Sequence, residues 1–523
     1  MRHIIIAGLL ATSFLAACSP ANNSSSGMDE SQEGFFIAGN IAGVDTTALS
    51  PAEQDLYRHA GLTMLVEQYN AVNLPTMRAA IAANPPAGIV FWNPEGVGAQ
   101  ELSAITRAYA ASARNASQPP LLFSTDYEGG GLTKTISGRT VPGIQRFRRG
   151  FTLLPHGQWL GREIEQTDSD EICALQGEIM GQELLAAGIN YPLATVSDLA
   201  GTLFTNRGIS SNAAVVTRCM NTLLENFNRV SQGKSIFVTK HFPGLGFTRG
   251  DTHEITVLSD RRGAEFERHI SPYRGILSNV RSRSQEGLLS IMVGHAQFTA
   301  YSPNRTSTES SYMLSRILKG TGQFEEQDNG AKYPRPALGF SGFVLSDAMW
   351  MGVYGFVNDM ALYGRIRPLG NSETQIADAQ RKTGQVRQYV MNQGLFTAAQ
   401  VPTLGREDYQ RVYNVMSLNS LLAGMDLLMI PNAQFARVVE FLRKGVVNRW
   451  DAEELRLIRV RTGLNQQQAV AQLKQRLTAI IAKNRSLRAG LHSPTEALTS
   501  NPSVESASLN TRLRSALSAI GFD

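Results

Sequence analysis

The sequence predicts an α/β fold, a TIM-like (β/α)8 barrel with loop insertions and C-terminal helices. Short apolar, β-rich runs alternate with helical stretches along most of the chain. Buried parallel strands read as continuous apolar runs rather than as strict alternation. Eight such units in series favour a closed barrel over a doubly wound sheet. Ionisable residues also recur at the C-terminal ends of the runs: Asp126, Asp198, Lys240 with His241, His295 and Asp347. On a parallel barrel, that end is the face where active sites are built.

In chain order, the expected strands are GFFIAGN (34–40), AGIVFWN (87–93), LLFSTDYEGG (121–130), GINYPLATVSD (188–198) and SIFVTKHFPG (235–244). LLSIMVGHAQF (288–298), GFVLSDAMWMG (342–352) and DLLMIP (426–431) complete the set. Helical patterns such as EICALQGEIMGQELLAA (171–187) and NAAVVTRCMNTLLENFNRV (212–230) lie between them. Two connections are irregular. Residues 131–143 read as an inserted loop after the third strand. Residues 354–404 are far longer than one connecting helix requires and read as a lid or subdomain. The chain is helical after Pro431, and residues 491–523 form a Ser/Asn/Thr-rich peripheral tail. The barrel domain is therefore placed at 34–490.

The 523 residues are 42% hydrophobic and 18% charged, an ordinary globular composition whose core needs no disulfide or metal staple. The net charge is +5, yet lysines and arginines are scattered. Zinc-finger spacing and a basic helix with interleaved aromatics are both missing, so no nucleic-acid partner is expected.

The N-terminus reads MRHIIIAGLLATSFLAACSP. A short basic start precedes an apolar run too short to span a bilayer permanently but suited to a secretory signal over 1–17. The segment Leu15-Ala16-Ala17-Cys18 resembles the bacterial lipobox. That resemblance implies cleavage before Cys18, acylation of its thiol and a membrane anchor in the cell envelope. Residues 18–33 supply the polar tether such an anchor needs. Cys173 and Cys219 remain, and are read as structural, buried thiols able to pair in an oxidising compartment.

The richest segment is KHFPGLGFTRGDTHE, residues 240–254. Its histidines match no zinc spacing, so no metal is expected. Its glycines are not followed by Lys-Ser/Thr, which excludes a phosphate-cradling loop, and the chain has no G-x-S-x-G elbow. Acid–base and nucleophilic work by Asp and His remains. Asp251-Thr252-His253 puts two side chains on one side of an extended loop. A carboxylate there fixes the tautomer of the imidazole and leaves its other nitrogen free to exchange a proton. Asp347 ends an apolar strand, where neighbouring donors can keep it ionised for attack on an electrophilic carbon. Taken singly, an Asp-X-His triplet is more often a surface loop, and a strand-end Asp a helix cap.

These residues resemble family 3 glycoside hydrolases, specifically the β-N-acetylglucosaminidase branch. KHFPGLGFTRGDTH is similar to the family's K-H-F-P-G-x-G…D-S-H segment. Asp126-Tyr127-Glu128-Gly129-Gly130 resembles its D-x-E-G-G, Gln145-Arg146-Phe147 its Q-R-F, and NRGISSN around Arg207 its second arginine site. VLSDAMWMG resembles its nucleophile strand and AGMDLLMIP its last barrel strand. The likeness runs in order from about 34 to 490. It implies Asp347 as nucleophile, His253 as general acid and then base, and Asp251 as its dyad partner. It assigns Asp126, Arg146, Arg207, Lys240 and His241 to the hydroxyl and N-acetyl groups of a terminal sugar. This sequence departs from the pattern at Leu245, where the family has His, and at Thr252, where it has Ser. The 131–143 insertion also separates two motifs that are normally adjacent.

Of the remaining residues, His295 reads as a strand-end histidine satisfied by backbone. Asp198 reads as a support for the loop carrying Arg207. Trp350 and Met351 either contact the sugar's acetyl group or fill the barrel mouth. The implied protein is a monomeric, cofactor-free, envelope-anchored exo-β-N-acetylglucosaminidase acting on GlcNAc-containing peptidoglycan fragments, with chitin-type oligosaccharides as the alternative. Rival readings are a β-glucosidase or glycoside phosphorylase of the same family, and a non-catalytic sugar-binding lipoprotein. The Asp251/His253 dyad and the absence of a second sheet domain count against the glucosidase. Phosphate dependence would mark the phosphorylase. Retention of Asp347 and His253 counts against the non-catalytic protein.

Overall fold

The computed structural model describes residues 41–68, 75–92, 97–114, 119–130, 145, 150–201, 207–246, 248, 252–253, 257–328, 331–368, 370–491 and 502–522. Eight strands make the central sheet: β1 (Met64–Gln68), β2 (Gly88–Phe91), β3 (Leu122–Thr125), β4 (Leu193–Val196), β5 (Phe237–Phe242), β6 (Leu289–Val293), β7 (Phe343–Ala348) and β8 (Leu427–Pro431). Their order is β3-β2-β1-β8-β7-β6-β5-β4, and every neighbouring pair is parallel. The two ends meet through a parallel bridge between Asp126 and Leu193, with Tyr191 N–H donating to Phe123 O at 3.0 Å. The sheet is thus the (β/α)8 barrel that the alternating pattern predicts.

Seven expected strands are present. The run 34–40 lies outside the described residues, and the first barrel strand is Met64–Gln68, which the sequence reading passed over. The reason is local: MLVEQ carries Glu67 and Gln68, yet all five residues are buried. By period 2, Leu65 and Glu67 share a face. Leu65 packs inside the barrel with Val90, Leu122, Leu193, Val238, Met292, Leu345, Leu427 and Met429. Glu67 therefore sits on the inward face as well, towards the C-terminal end.

Outside the barrel, the helices Glu171–Ala186 and Ala213–Ser231 pack together, and Cys173 is bonded to Cys219 across them with Cα atoms 5.4 Å apart. This corrects the reading of both as thiols. Segment 354–404 holds the helices Gly352–Tyr363 and Glu373–Asn392. The second begins at a Ser372/Gln375 capping box and buries Ala379, Val386 and Val390. Tyr389 and Leu395 O accept hydrogen bonds from Arg461 (2.9 Å) and Arg456 (2.7 Å), and Arg461 also pairs with Glu309. The segment is therefore fastened to the C-terminal helix Ala452–Thr462 as a buttress. The tail carries a helix, Pro502–Ala519, with Leu509, Leu513 and Leu517 buried, and Phe522 meets Trp159 edge-on at 4.8 Å.

Just before β8, at the opposite end of the barrel from the candidate site, buried Asp426 accepts from Lys319 (2.8 Å), Lys483 (2.9 Å) and Arg476 (3.1 Å). Its other partner is the Val344 N–H at 3.0 Å. Ionic constraint on that face reads as stability rather than chemistry.

The disulfide closes a sequence separation of 46 residues, worth roughly 4 kcal/mol in the chain-entropy account. Cys173→Ser should lower the unfolding free energy by about 2–4 kcal/mol in oxidising buffer and have little effect under reductant. Urea midpoints measured both ways check this. Equal midpoints in oxidising buffer would show that the thiols are not joined.

Candidate active site

The C-terminal ends of β3, β4, β5 and β7 bring the sequence-nominated residues together. Lys240 on β5 reaches Asp126 at 2.7 Å and Glu128 at 2.6 Å, all three being buried. Arg207, on the loop after β4, grips Glu128 with two 2.8 Å hydrogen bonds. Burial alone would raise the Glu128 carboxyl, but the Arg207 and Lys240 charges outweigh it and hold the group well below the ordinary range. Burial likewise works against the Lys240 ammonium, and Asp126 and Glu128 reverse it, leaving the amine above its ordinary value. Glu128 and Lys240 favour their charged forms because opposite charges face them.

His241 connects this cluster to Asp347. Asp198 takes its ring Nδ1–H at 2.7 Å and its backbone N–H at 2.9 Å, and Nε2 stands 4.0 Å from Asp347 Oδ2. Asp198 also accepts the Leu245 N–H at 2.6 Å. Its carboxylate thus fixes the Lys-His strand end and the start of the next loop, instead of the Arg207 loop as expected. The peptide bonds Lys240–His241 and Phe242–Pro243 are cis.

Asp347 is only 6% exposed. Burial pushes its carboxyl up, but His241, His295, the Ala348 N–H at 2.8 Å and Lys240 together bring it below the ordinary value. An ionised carboxylate with little water around it is a competent nucleophile. His295 is held as anticipated: Nε2 donates to Ala348 O at 3.0 Å, and Nδ1 meets the Thr308 hydroxyl at 2.8 Å. Burial keeps its ring below the ordinary imidazole value, although the Asp347 charge opposes this.

The loop after β5 explains its own composition. Gly244 has φ +127°, a region that favours glycine. A Cβ on Gly246 would stand 1.7 Å from Leu199 O. Leu245, where the family has histidine, is buried against Gly294, where an added Cβ would lie 2.8 Å from Leu245 Cδ1. It is a hydrophobic anchor for the stem of the loop. Thr252 and His253 follow, and the His253 ring lies 5.7 Å from the Trp350 ring, tilted by 46°. Asp251, Arg146 and Cys18 lie outside the described residues. No group of His, Cys, Asp and Glu among the described residues is arranged to hold a metal.

More than half of the chain, residues 77–363, matches the family described as glycosyl hydrolase family 3 N terminal domain. The chain belongs to this family. A protein of Nitrosomonas eutropha (strain DSM 101675 / C91 / Nm57) named beta-hexosaminidase is 28% identical over 271 residues, covering 50% of this chain and 65% of that relative. Another of that name, from Psychromonas ingrahamii (strain DSM 17664 / CCUG 51855 / 37), is 27% identical over 286 residues, covering 53% of this chain and 72% of the relative. The chain thus spans less than two thirds of the Nitrosomonas protein. Among solved structures, a family 3 β-N-acetylglucosaminidase from Paenibacillus sp. str. FPU-7 superposes with TM-score 0.56 at 18% identity, over 90% of this chain and 69% of its own. A β-N-acetylhexosaminidase from Beutenbergia cavernae DSM 12333 gives 0.52 at 18%, over 82% and 98%. At such identities the likeness speaks for the shared barrel.

Two acids of this family 3 site were not singled out from sequence. Glu128 was quoted only as part of a motif, although D-x-E directly after a strand end was the available signal. Glu67 lay in the strand that went unread. It is fully buried, and neither carboxyl oxygen makes a hydrogen bond of ordinary geometry among the described residues. Burial pushes it well above the ordinary carboxylate range; the Trp92 indole opposes this, while Asp347 and Asp126 reinforce it. Glu67 is thus a buried acid whose surroundings disfavour its charged form.

A carboxyl raised in the fold contributes stability that is full below its unfolded value of about 4.3 and declines as pH rises towards the folded value. Glu67→Gln cannot ionise and loses nothing over that range. The variant should therefore gain on wild type from pH 4 to pH 8, by up to about 1.4 kcal/mol per pH unit. Urea midpoints at pH 4, 6 and 8 measure it, and a flat difference would mean that Glu67 ionises freely.

Proposed function

We propose that this protein is a retaining exo-β-N-acetylglucosaminidase that removes terminal non-reducing GlcNAc from peptidoglycan fragments or related oligosaccharides. The observation that carries the reading is Asp347, a buried carboxylate kept ionised at the C-terminal end of a barrel strand. His253 stands on the neighbouring loop beside Trp350. A retaining mechanism needs one nucleophile and one proton shuttle on the two sides of the glycosidic bond. Asp347 attacks the anomeric carbon as His253 protonates the departing oxygen, giving a covalent glycosyl-enzyme. His253 then takes a proton from water, which attacks the same carbon and releases Asp347. A neutral imidazole in this role places no second negative charge beside the nucleophile. Asp251 orients it.

Asp126, Arg207, Lys240 and His241, with Arg146, bind the terminal sugar. Asp126, Lys240 and His241 are buried groups with only a small exposed edge, which suits one terminal residue rather than the middle of a chain. The β-N-acetylhexosamine preference draws on the curated relatives' names. Cys18 carries the lipid anchor, and the protein works in the cell envelope. The Cys173–Cys219 bond supports that placement, because such bonds persist in oxidising compartments.

The test is hydrolysis of an aryl β-GlcNAc by wild type, Asp347→Ala and His253→Ala, with an aryl β-glucoside in parallel. Wild type should cleave the GlcNAc substrate in strong preference. Asp347→Ala should fall to background, and His253→Ala should lose about 10²–10⁴-fold on a poor leaving group. An inactive wild type, or full activity in either variant, would sink the reading.

A further inference from the structure

We propose that Trp350 is a positioning residue, a platform on which the loop after β5 lands so that His253 is held beside the nucleophile. The proposal rests on the reading of His253 as the proton shuttle. Trp350 follows Asp347 by three residues, on the turn between β7 and the helix Gly352–Tyr363. That turn is pinned on several sides. Met349 N–H donates to Met429 O at 2.8 Å, Met351 N–H to Ala348 O at 2.9 Å, and the Tyr413 hydroxyl to Met349 O at 3.3 Å. A Cβ on Gly355 would stand 1.7 Å from Trp350 O, so the helix is pressed directly against that carbonyl. The indole is braced as well. Trp92, at the end of β2, meets it edge-on, with ring centroids 6.2 Å apart and planes at 86°. Its N–H is buried with no hydrogen-bond partner among the described residues. The ring thus stands in a fixed relation to Asp347.

The loop that carries His253 is fastened at both feet. At its stem, Leu245 fills the space beside Gly294, and Leu245 N–H is taken by Asp198. Thr248 closes a turn onto Leu245 O through its N–H at 3.0 Å and its hydroxyl at 2.9 Å. At its far foot, Leu258 and Ser259 pair with Gln297 and Phe298. Between these points the His253 ring settles at 5.7 Å from Trp350. Aromatic rings in tilted contact at such a separation hold one another in place, so Trp350 favours the loop position in which His253 is seen.

The test compares wild type, Trp350→Phe, Trp350→Leu and His253→Ala on two β-GlcNAc substrates. One has a 2,4-dinitrophenyl leaving group, which departs without a proton, and the other a 4-methoxyphenyl group, which needs one. In Trp350→Leu, kcat/KM should fall about tenfold or more on the methoxyphenyl substrate and less than about twofold on the dinitrophenyl one. Trp350→Phe should recover most of the loss. The dinitrophenyl activity serves as the folding control. Equal losses on both substrates would overturn the proposal and make Trp350 a wall of the sugar pocket. If His253→Ala itself shows no dependence on the leaving group, the proton-shuttle reading fails first and the platform with it.

Discussion

The Lys240 ammonium, buried between Asp126 and Glu128, is the interaction on which the rest of the site depends. A buried carboxylate without a partner would take up a proton rather than remain charged. The upper end of this barrel holds Asp126, Glu128, Asp198 and Asp347 within a few side chains of one another. Lys240, Arg207 and His241 are what keep that arrangement viable. Two of the three stand side by side on β5, so one strand balances carboxylates contributed by β3, β4 and β7. Losing the lysine would remove the cation that Asp126 and Glu128 share and leave Glu128 to Arg207. Glu67 shows the opposite solution on the same inward face. No cation meets it among the described residues, and burial pushes its carboxyl well above the ordinary carboxylate range.

The second constraint is mechanical. Asp198 binds both the His241 backbone and the Leu245 N–H, so the strand that presents the charge cluster and the loop that presents His253 are tied to one carboxylate. Leu245 adds a packed contact against Gly294. The loop that carries His253 is attached through a carboxylate, a leucine seated on a glycine and the contact of the His253 ring with Trp350.

Much of this was legible in the chain because barrels concentrate their information. Strand ends carry the chemistry, so Asp126, Lys240, His241 and Asp347 could be picked out where apolar runs stop. Their convergence follows from the parallel topology alone. The features that escaped notice depend on neighbours distant in sequence. Glu67 interrupts an otherwise apolar strand, and only the closed sheet reveals it as an inward acid; GFFIAGN had the stronger local signal for a first strand. Leu245 looked like a defect in a motif, because its reason is Gly294, some fifty residues on. Asp198 was assigned to the wrong loop, since nothing local says which N–H groups its carboxylate will meet. The Cys173–Cys219 bond depends on the packing of two helices that local pattern predicts separately.

The central claim is that Asp347 is the nucleophile of a covalent mechanism. The most direct measurement is mass spectrometry of the protein after incubation with a 5-fluoro-β-N-acetylglucosaminyl fluoride, which forms the glycosyl-enzyme faster than water can resolve it. The account predicts one added sugar per chain, recovered after digestion on the peptide containing Asp347. Turnover with no adduct, or an adduct on Asp126, Glu128 or Glu67, would contradict it.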